Sequence, residues 1–225
     1  HNMKKYIFVL SMLIVLIMVA YAAAGEPTAA VEASVNRVLD VLKDPKLKGP
    51  DAKNIKTEKL RVIYKSMFDE MEFSRRTLTR NWKNFTPAER REFVDLFEQV
   101  LEKSYLDKIL DYSDEKIVFY KETMIDKDKA EVQSKIITSS NEIPIDYRII
   151  LKDGKWKVYD VVVENVSLVQ NYRTQFNEIL ADGTPEDLLK ILSKKVNCLL
   201  YTSDAADDLL CVHLGGRCTI PNKIL

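Results

Sequence analysis

Three stretches of this sequence predict an α+β fold with N-terminal helices, a mainly antiparallel curved sheet of about four strands, and C-terminal helices. The first is Ile143 to Phe176, which reads as strand, two-residue turn, strand, short corner and helix. The second is Thr86-Pro87-Ala88-Glu89, the clearest helix start in the chain. The third is the order of periodicities: helical spacing before Leu110, strand-like runs from Lys116 to Glu164, and helical spacing again afterwards.

The hairpin anchors the reading. Asp153-Gly154 lies between two β-rich runs, and a two-residue hairpin turn needs φ > 0 at both central positions. Counting outward by two from that turn sets Lys152 opposite Lys155, Ile149 opposite Val158 and Tyr147 opposite Asp160. One face then carries Ile143, Ile145, Tyr147, Ile149, Leu151, Trp156, Val158, Asp160, Val162 and Glu164, a wide apolar wall. The other face is mixed.

The remaining elements follow in chain order. Thr28 to Leu42 has Val31, Val35, Val38, Leu39 and Leu42 at helical spacing, and Asp44-Pro45 ends it. A second helix is predicted over Thr57 to Phe68, with Leu60, Ile63, Tyr64, Met67 and Phe68 as its stripe. A third runs from Phe73 to Trp82, with Arg75, Arg76, Arg80 and Lys83 projecting outward. Thr86 can cap the next helix, Pro87 suits its first turn, and Glu89 can close a capping box. That helix runs to about Leu110, with Tyr105 at the edge of its stripe and Ile109 within it. Lys116 to Thr123 and Lys129 to Thr138 read as strands. Leu168 to Leu180 is a helix, and Thr184-Pro185-Glu186-Asp187 starts a last one that stops near Lys194.

The two ends are set aside from the fold. Lys4-Lys5 followed by the apolar run Ile7 to Val19 and the small residues Ala20 to Ala24 reads as a secretory signal peptide over residues 1–24, against the alternative of a single membrane anchor. No Cys follows the apolar run, which argues against a lipoprotein. From about residue 196 the helical pattern stops. Cys198 to Asp208 can be encoded by a stretch resembling the transposase adapter of sequencing libraries, so residues 196–225 read as adapter read-through. One domain, residues 25–195, remains.

That domain has no cysteine and no histidine, the two histidines being His1 and His213. Cysteine or serine nucleophiles paired with histidine, histidine bases and the usual His/Cys zinc sites are therefore unavailable to it. With 30 Lys+Arg against 31 Asp+Glu in residues 25–195, it carries no electrostatic footprint for nucleic acid. Asp160, placed on the apolar wall, could be a shifted base or a hydrogen-bonded structural acid serving Tyr147 or a helix-end amide. The structural role is favoured, because nothing else catalytic accompanies it. The basic corner Arg75, Arg76, Arg80, Lys83, Arg90 and Arg91 reads either as a solvated face or as a docking surface for an acidic partner.

Two segments carry a family resemblance. TRNWKNFTPAERREFVDLFEQVLEKSYL (Thr79–Leu106) and GKWKVYDVVVENVSLVQNYRTQFNEIL (Gly154–Leu180) resemble the MlaC family, periplasmic phospholipid-binding components of the maintenance-of-lipid-asymmetry system, also called toluene-tolerance proteins. Asn165 stands where the family commonly has Gly, and Asn tolerates left-handed geometry. The resemblance implies an apolar pocket for acyl chains, with no catalysis and no cofactor. Its expected wall is Tyr105, Ile109, Ile145, Tyr147, Ile149, Val158, Val162, Leu168, Tyr172 and Phe176. It further implies a monomeric periplasmic shuttle for phospholipid between an outer-membrane lipoprotein complex and an inner-membrane ABC transporter complex, with Arg75, Arg76, Arg80 and Lys83 docking the partners. Two other readings stay open: a cone-shaped α+β isomerase or dehydratase using Asp160 and Tyr147, and a carrier of another hydrophobic ligand.

Overall fold

The computed structural model describes residues 26–49, 51–112 and 115–201. Helix α1 spans Pro27–Lys43, α2 Ala52–Met67, α3 Glu70–Leu78 and α4 Pro87–Leu110. Strands β1 (Lys116–Asp126), β2 (Lys129–Ile137), β3 (Glu142–Lys152), β4 (Lys155–Val163) and β5 (Val166–Ser167) come next, then α5 (Leu168–Asp182) and α6 (Pro185–Tyr201). The sheet is an antiparallel meander in sequence order, one short strand longer than expected. The signal-peptide reading of residues 1–24 falls outside the described residues. Among those described, no helix is long and apolar enough to cross a membrane.

Local chemistry explains where the helices begin and end. At α4, Thr86 Oγ1 accepts the Glu89 N–H at 3.2 Å while Glu89 accepts the Thr86 N–H at 2.7 Å, the reciprocal capping box read from the sequence. Helix α2 starts five residues before the expected Thr57; Ala52, Lys53 and Lys56 are good helix formers, but Ala52 to Lys56 have no buried stripe to betray them. The single helix expected over Phe73 to Trp82 is instead α3 followed by a 3₁₀ turn, Thr79–Asn84. Thr79 has φ 48°, and a left-handed residue there breaks the helical ladder. Helix α6 continues past Lys194 because Leu188, Leu192 and Val196 keep one buried stripe, and Lys103 Nζ donates to the Val196 carbonyl at 3.0 Å.

The hairpin turn is as expected: Asp153 has φ 51° and Gly154 φ 73°. The register holds from Lys152↔Lys155 through Ile149↔Val158 and then shifts, so that Arg148 pairs with Asp160 and Tyr147 with Val161. The cause is a bulge at Tyr159, one extra residue in β4. Since strand faces alternate, one added residue exchanges the faces of everything beyond it. The expected pairing of Tyr147 with Asp160 is therefore corrected, and Asp160 and Val162 belong to the face of Asp146 and Arg148. Val161 and Val163 replace them beside Tyr147 and Ile145.

Burial divides into two apolar clusters. In the helical one, Phe97 is fully buried with ring centroids of Phe73, Phe93, Tyr172 and Phe176 at 5.7, 5.6, 4.8 and 5.2 Å. Truncating such a ring to Ala costs about 3–5 kcal/mol. The other cluster joins Val31 and Val35 of α1 to Ala130, Val132, Ile149 and Val158 of the sheet. Thr28 fixes α1 over that face, donating to the Glu122 carboxylate of β1 from its N–H at 2.9 Å and its hydroxyl at 2.6 Å.

Candidate functional site

Alternation and register place Ile117 and Phe119 of β1, Val132 and Ile136 of β2, Ile145, Tyr147 and Ile149 of β3, and Val158, Val161 and Val163 of β4 on one face. Toward the hairpin end this wall is closed: Ile149, Val158 and Val132 are buried under α1 and Met67. Toward the other end cover is partial: Ile143 and Ser134 are buried, while Ile117, Phe119, Ile136, Ile145, Tyr147, Val161 and Val163 keep partial exposure. Half-covered aliphatic and aromatic side chains in a row can bury an apolar ligand; they offer little for chemistry on a polar one.

Sequence reasoning brought Ile145, Tyr147, Ile149 and Val158 to the wall correctly. It failed at Val162, which is buried on the opposite face because of the bulge at Tyr159. Tyr172 and Phe176 are buried in the helical cluster, with Leu168 and Tyr105 partly buried against it. Ile109, also expected in the wall, is 41% exposed. Eight of the ten residues thus fall into two sets, and Val162 and Ile109 belong to neither. Phe68, at the end of α2, packs against both clusters; it stacks on Tyr64 at 4.5 Å and meets Phe73 edge-on at 6.3 Å. The helical stripe of α2 included Phe68 but not its place between the two clusters, and Ile117 and Phe119 could have been found from the alternation of β1.

The polar groups at the wall are held in place. Ser134 is buried and donates to the Ile145 carbonyl at 2.8 Å. Burial pushes the Tyr147 phenol up to about 12, with a hydrogen bond to Ser134 acting weakly the other way. On the far face Asp160 is saturated: it accepts Arg148 Nη1 at 3.1 Å, the Ser167 hydroxyl at 2.6 Å and the Val169 N–H at 3.0 Å. These partners give Asp160 the structural role at a helix-end amide. Among the described residues, no group of three or more His, Cys, Asp or Glu side chains could hold a metal ion.

With this geometry in view, the family model described as MlaC protein matches residues 32–194, well over half of the chain. The chain belongs to the MlaC family. Among its relatives, the toluene tolerance protein ttg2D of Pseudomonas putida is 23% identical over 188 residues, covering 83% of this chain and 87% of that protein. The intermembrane phospholipid transport system binding protein MlaC of Haemophilus influenzae is 28% identical over 95 residues, 40% of this chain and 44% of that one. The fold is similar to that of the phospholipid-binding protein from Ralstonia solanacearum, solved in complex with a phospholipid. That match has a TM-score of 0.70 and 21% identity, over 78% of this chain and 99% of that one. The corner at which this chain has Asn165 is a two-residue turn in this MlaC protein: Glu164 and Asn165 take φ 48° and 67° between Val163 and its partner Val166.

The basic corner is only partly free. Arg80 and Lys83 are exposed, and Arg75 is exposed but paired with Glu72 at 2.8 Å. Arg76 does not project outward as expected. It pairs with Glu72 at 2.7 Å, lies 4.0 Å over the Tyr159 ring, and its carbonyl accepts Arg173 Nη2 at 2.9 Å. The bulge that displaces Tyr159 toward α3 gives Arg76 this partner.

Proposed function

We propose that this chain is a non-catalytic periplasmic phospholipid carrier, acting as a monomer between an outer-membrane lipoprotein complex and an inner-membrane ABC transporter complex. The observation that carries the reading is the half-covered apolar wall of Ile145, Tyr147 and Val161, set beside a helical cluster closed on itself, in a chain of the MlaC family. The relatives are named for phospholipid binding and transport, which supports the ligand class. Acyl chains would lie along that wall toward Phe68, where the two clusters approach, and against the partly buried Leu168 and Tyr105, with Tyr172 and Phe176 closed inside the helical cluster.

Magnitudes favour such a carrier. Two chains of about sixteen carbons hide about thirty methylenes from water, on the order of 24 kcal/mol at ~0.8 kcal/mol each. Free lipid therefore does not cross an aqueous compartment at a useful rate. A carrier must offer comparable apolar cover and still release its cargo, so a partly open wall suits the task better than a finished core.

Arg75, Arg80 and Lys83 would serve docking, since rim charges chiefly set association rates and their salt dependence, and Arg76, held by Glu72 and Tyr159, would act behind them. The test is native mass spectrometry with lipid analysis of an organic extract, on the chain from Gly25 onward. About one phospholipid per chain is expected. Apo mass with an extract free of lipid would overturn the reading, and a different hydrophobic compound in the extract would reassign the ligand.

A further inference from the structure

We propose that the outer face of α2 and the adjoining cleft at the α2–α3 junction form a docking surface for an anionic phospholipid bilayer. Three large apolar side chains stand in water there: Ile55 is 44% exposed, Val62 69% and Met71 43%. Ile55 and Val62 are seven residues apart, hence on one stripe of α2, with Lys59 between them and Lys65 one turn beyond. Lys65 and Met71 also line a cleft of about 510 Å³ with Lys152, Lys155 and Lys157 from the hairpin. The stripe and the cleft are thus one continuous surface of aliphatic side chains among five lysines.

Two acids of this surface are paired, Asp69 with Lys152 at 2.7 Å and Glu58 with Arg61, while Glu70 and Asp153 border the cleft and offset part of its positive charge. The pairs Lys65–Glu98 at 3.4 Å and Lys59–Asp44 at 3.9 Å are loose, and both lysines are exposed, so their charges remain available to an external anion.

Composition chooses the occupant. Protein interfaces favour Arg and aromatic anchors and are depleted in Lys, whereas here the cations are lysines apart from Arg61, which Glu58 and Glu102 hold, and the aromatic that lines the cleft, Phe68, is half-buried. Lysine stems lie along apolar surface while the ammonium reaches for phosphate, and aliphatic side chains enter the headgroup boundary. The arginine-rich corner at Arg75 and Arg80 has the opposite character. The cleft shares Phe68 with the interior clusters, but Lys59, Val62, Met71 and Lys155 belong to neither cluster, so the two readings can fail separately.

The experiment is co-flotation of the chain from Gly25 onward with vesicles. One set is pure phosphatidylcholine; the other is equal parts phosphatidylcholine and phosphatidylglycerol. Binding is expected to the anionic set alone and should vanish near 1 M salt, where the Debye length is about 3 Å. Each lysine near such a surface contributes roughly fivefold, so Lys59→Ala with Lys155→Ala should weaken binding roughly 25-fold. Val62→Ser with Met71→Ser should weaken it at unchanged charge. Both double variants alter exposed side chains, and each should keep the wild-type circular dichroism spectrum and extractable lipid. Equal binding to the two vesicle sets, or variants that bind as wild type does, overturns the proposal. A wild type that ignores both sets assigns the surface to a protein partner and overturns it as well.

Discussion

The Asp160 carboxylate accepts the Val169 N–H at 3.0 Å, so a buried acid of β4 fixes the first turn of α5. Arg148 and Ser167 complete its shell. Asp160→Ala removes a charge-assisted acceptor, leaves the Val169 amide unsatisfied and leaves Arg148 with Glu131 as its carboxylate. A loss of at least about 2 kcal/mol is expected in urea unfolding. Lipid recovered per mole of folded protein should not change. A variant that keeps its stability and loses lipid would return Asp160 to the ligand site.

The bulge at Tyr159 makes neighbouring valines respond oppositely. Val161 lies on the half-covered wall and Val162 is buried on the other face. Val161→Trp should lower co-purified lipid while the delipidated protein melts close to wild type, because the added ring occupies space meant for the ligand. Val162→Trp overpacks a closed region and should cost about 1–3 kcal/mol. Differential scanning calorimetry beside lipid quantitation separates the two. Equal melting losses would mean that the wall at Val161 is an ordinary core.

Alkaline titration reads the burial of Tyr147. Its phenol titrates at about 12 when folded against 10.0 ordinarily, so the folded state holds its proton longer than the unfolded chain. Stability is fully present below pH 10 and declines as the pH rises toward 12. Tyr147→Phe should flatten that decline in pH-resolved melting curves. It cannot remove it, because Tyr64 and Tyr159 are also raised by burial.

Glu164 occupies the left-handed region at φ 48° in the two-residue turn before β5. A side chain with a Cβ pays roughly 1–2 kcal/mol there, and Asn pays less. Glu164→Asn should therefore raise the unfolding midpoint modestly. Asn165→Ala, at φ 67°, should lower it. A Glu164→Asn variant less stable than wild type would show that the Glu164 side chain has a compensating partner.

How much of this was legible in the sequence depends on whether the signal was local. The Asp153-Gly154 turn and the Thr86–Glu89 capping box are properties of adjacent residues, and both are where the sequence put them. The bulge at Tyr159 is settled by Arg76 of α3 and the saturation of Asp160, contacts far away in the chain. That is why Asp160 and Val162 changed faces, while Ile145, Tyr147 and Ile149, on the unbulged strand, did not. The start of α2 was missed for a related reason. Its first turn faces water, and polar helix formers leave no periodic trace. Phe68 was overlooked as the meeting point of two cores, since its role exists only after both are built.

Phe68 has one more consequence. A side chain shared by the sheet cluster and the helical cluster cannot shift for one without disturbing the other. If acyl chains lie along the wall as proposed, those that reach Phe68 would press on the aromatic stack of Tyr64, Phe68 and Phe73, and loosening that stack would in turn weaken their hold. By thermodynamic reciprocity the two effects are equal in size. A receptor that grasps the helices could thus unload the sheet without touching it.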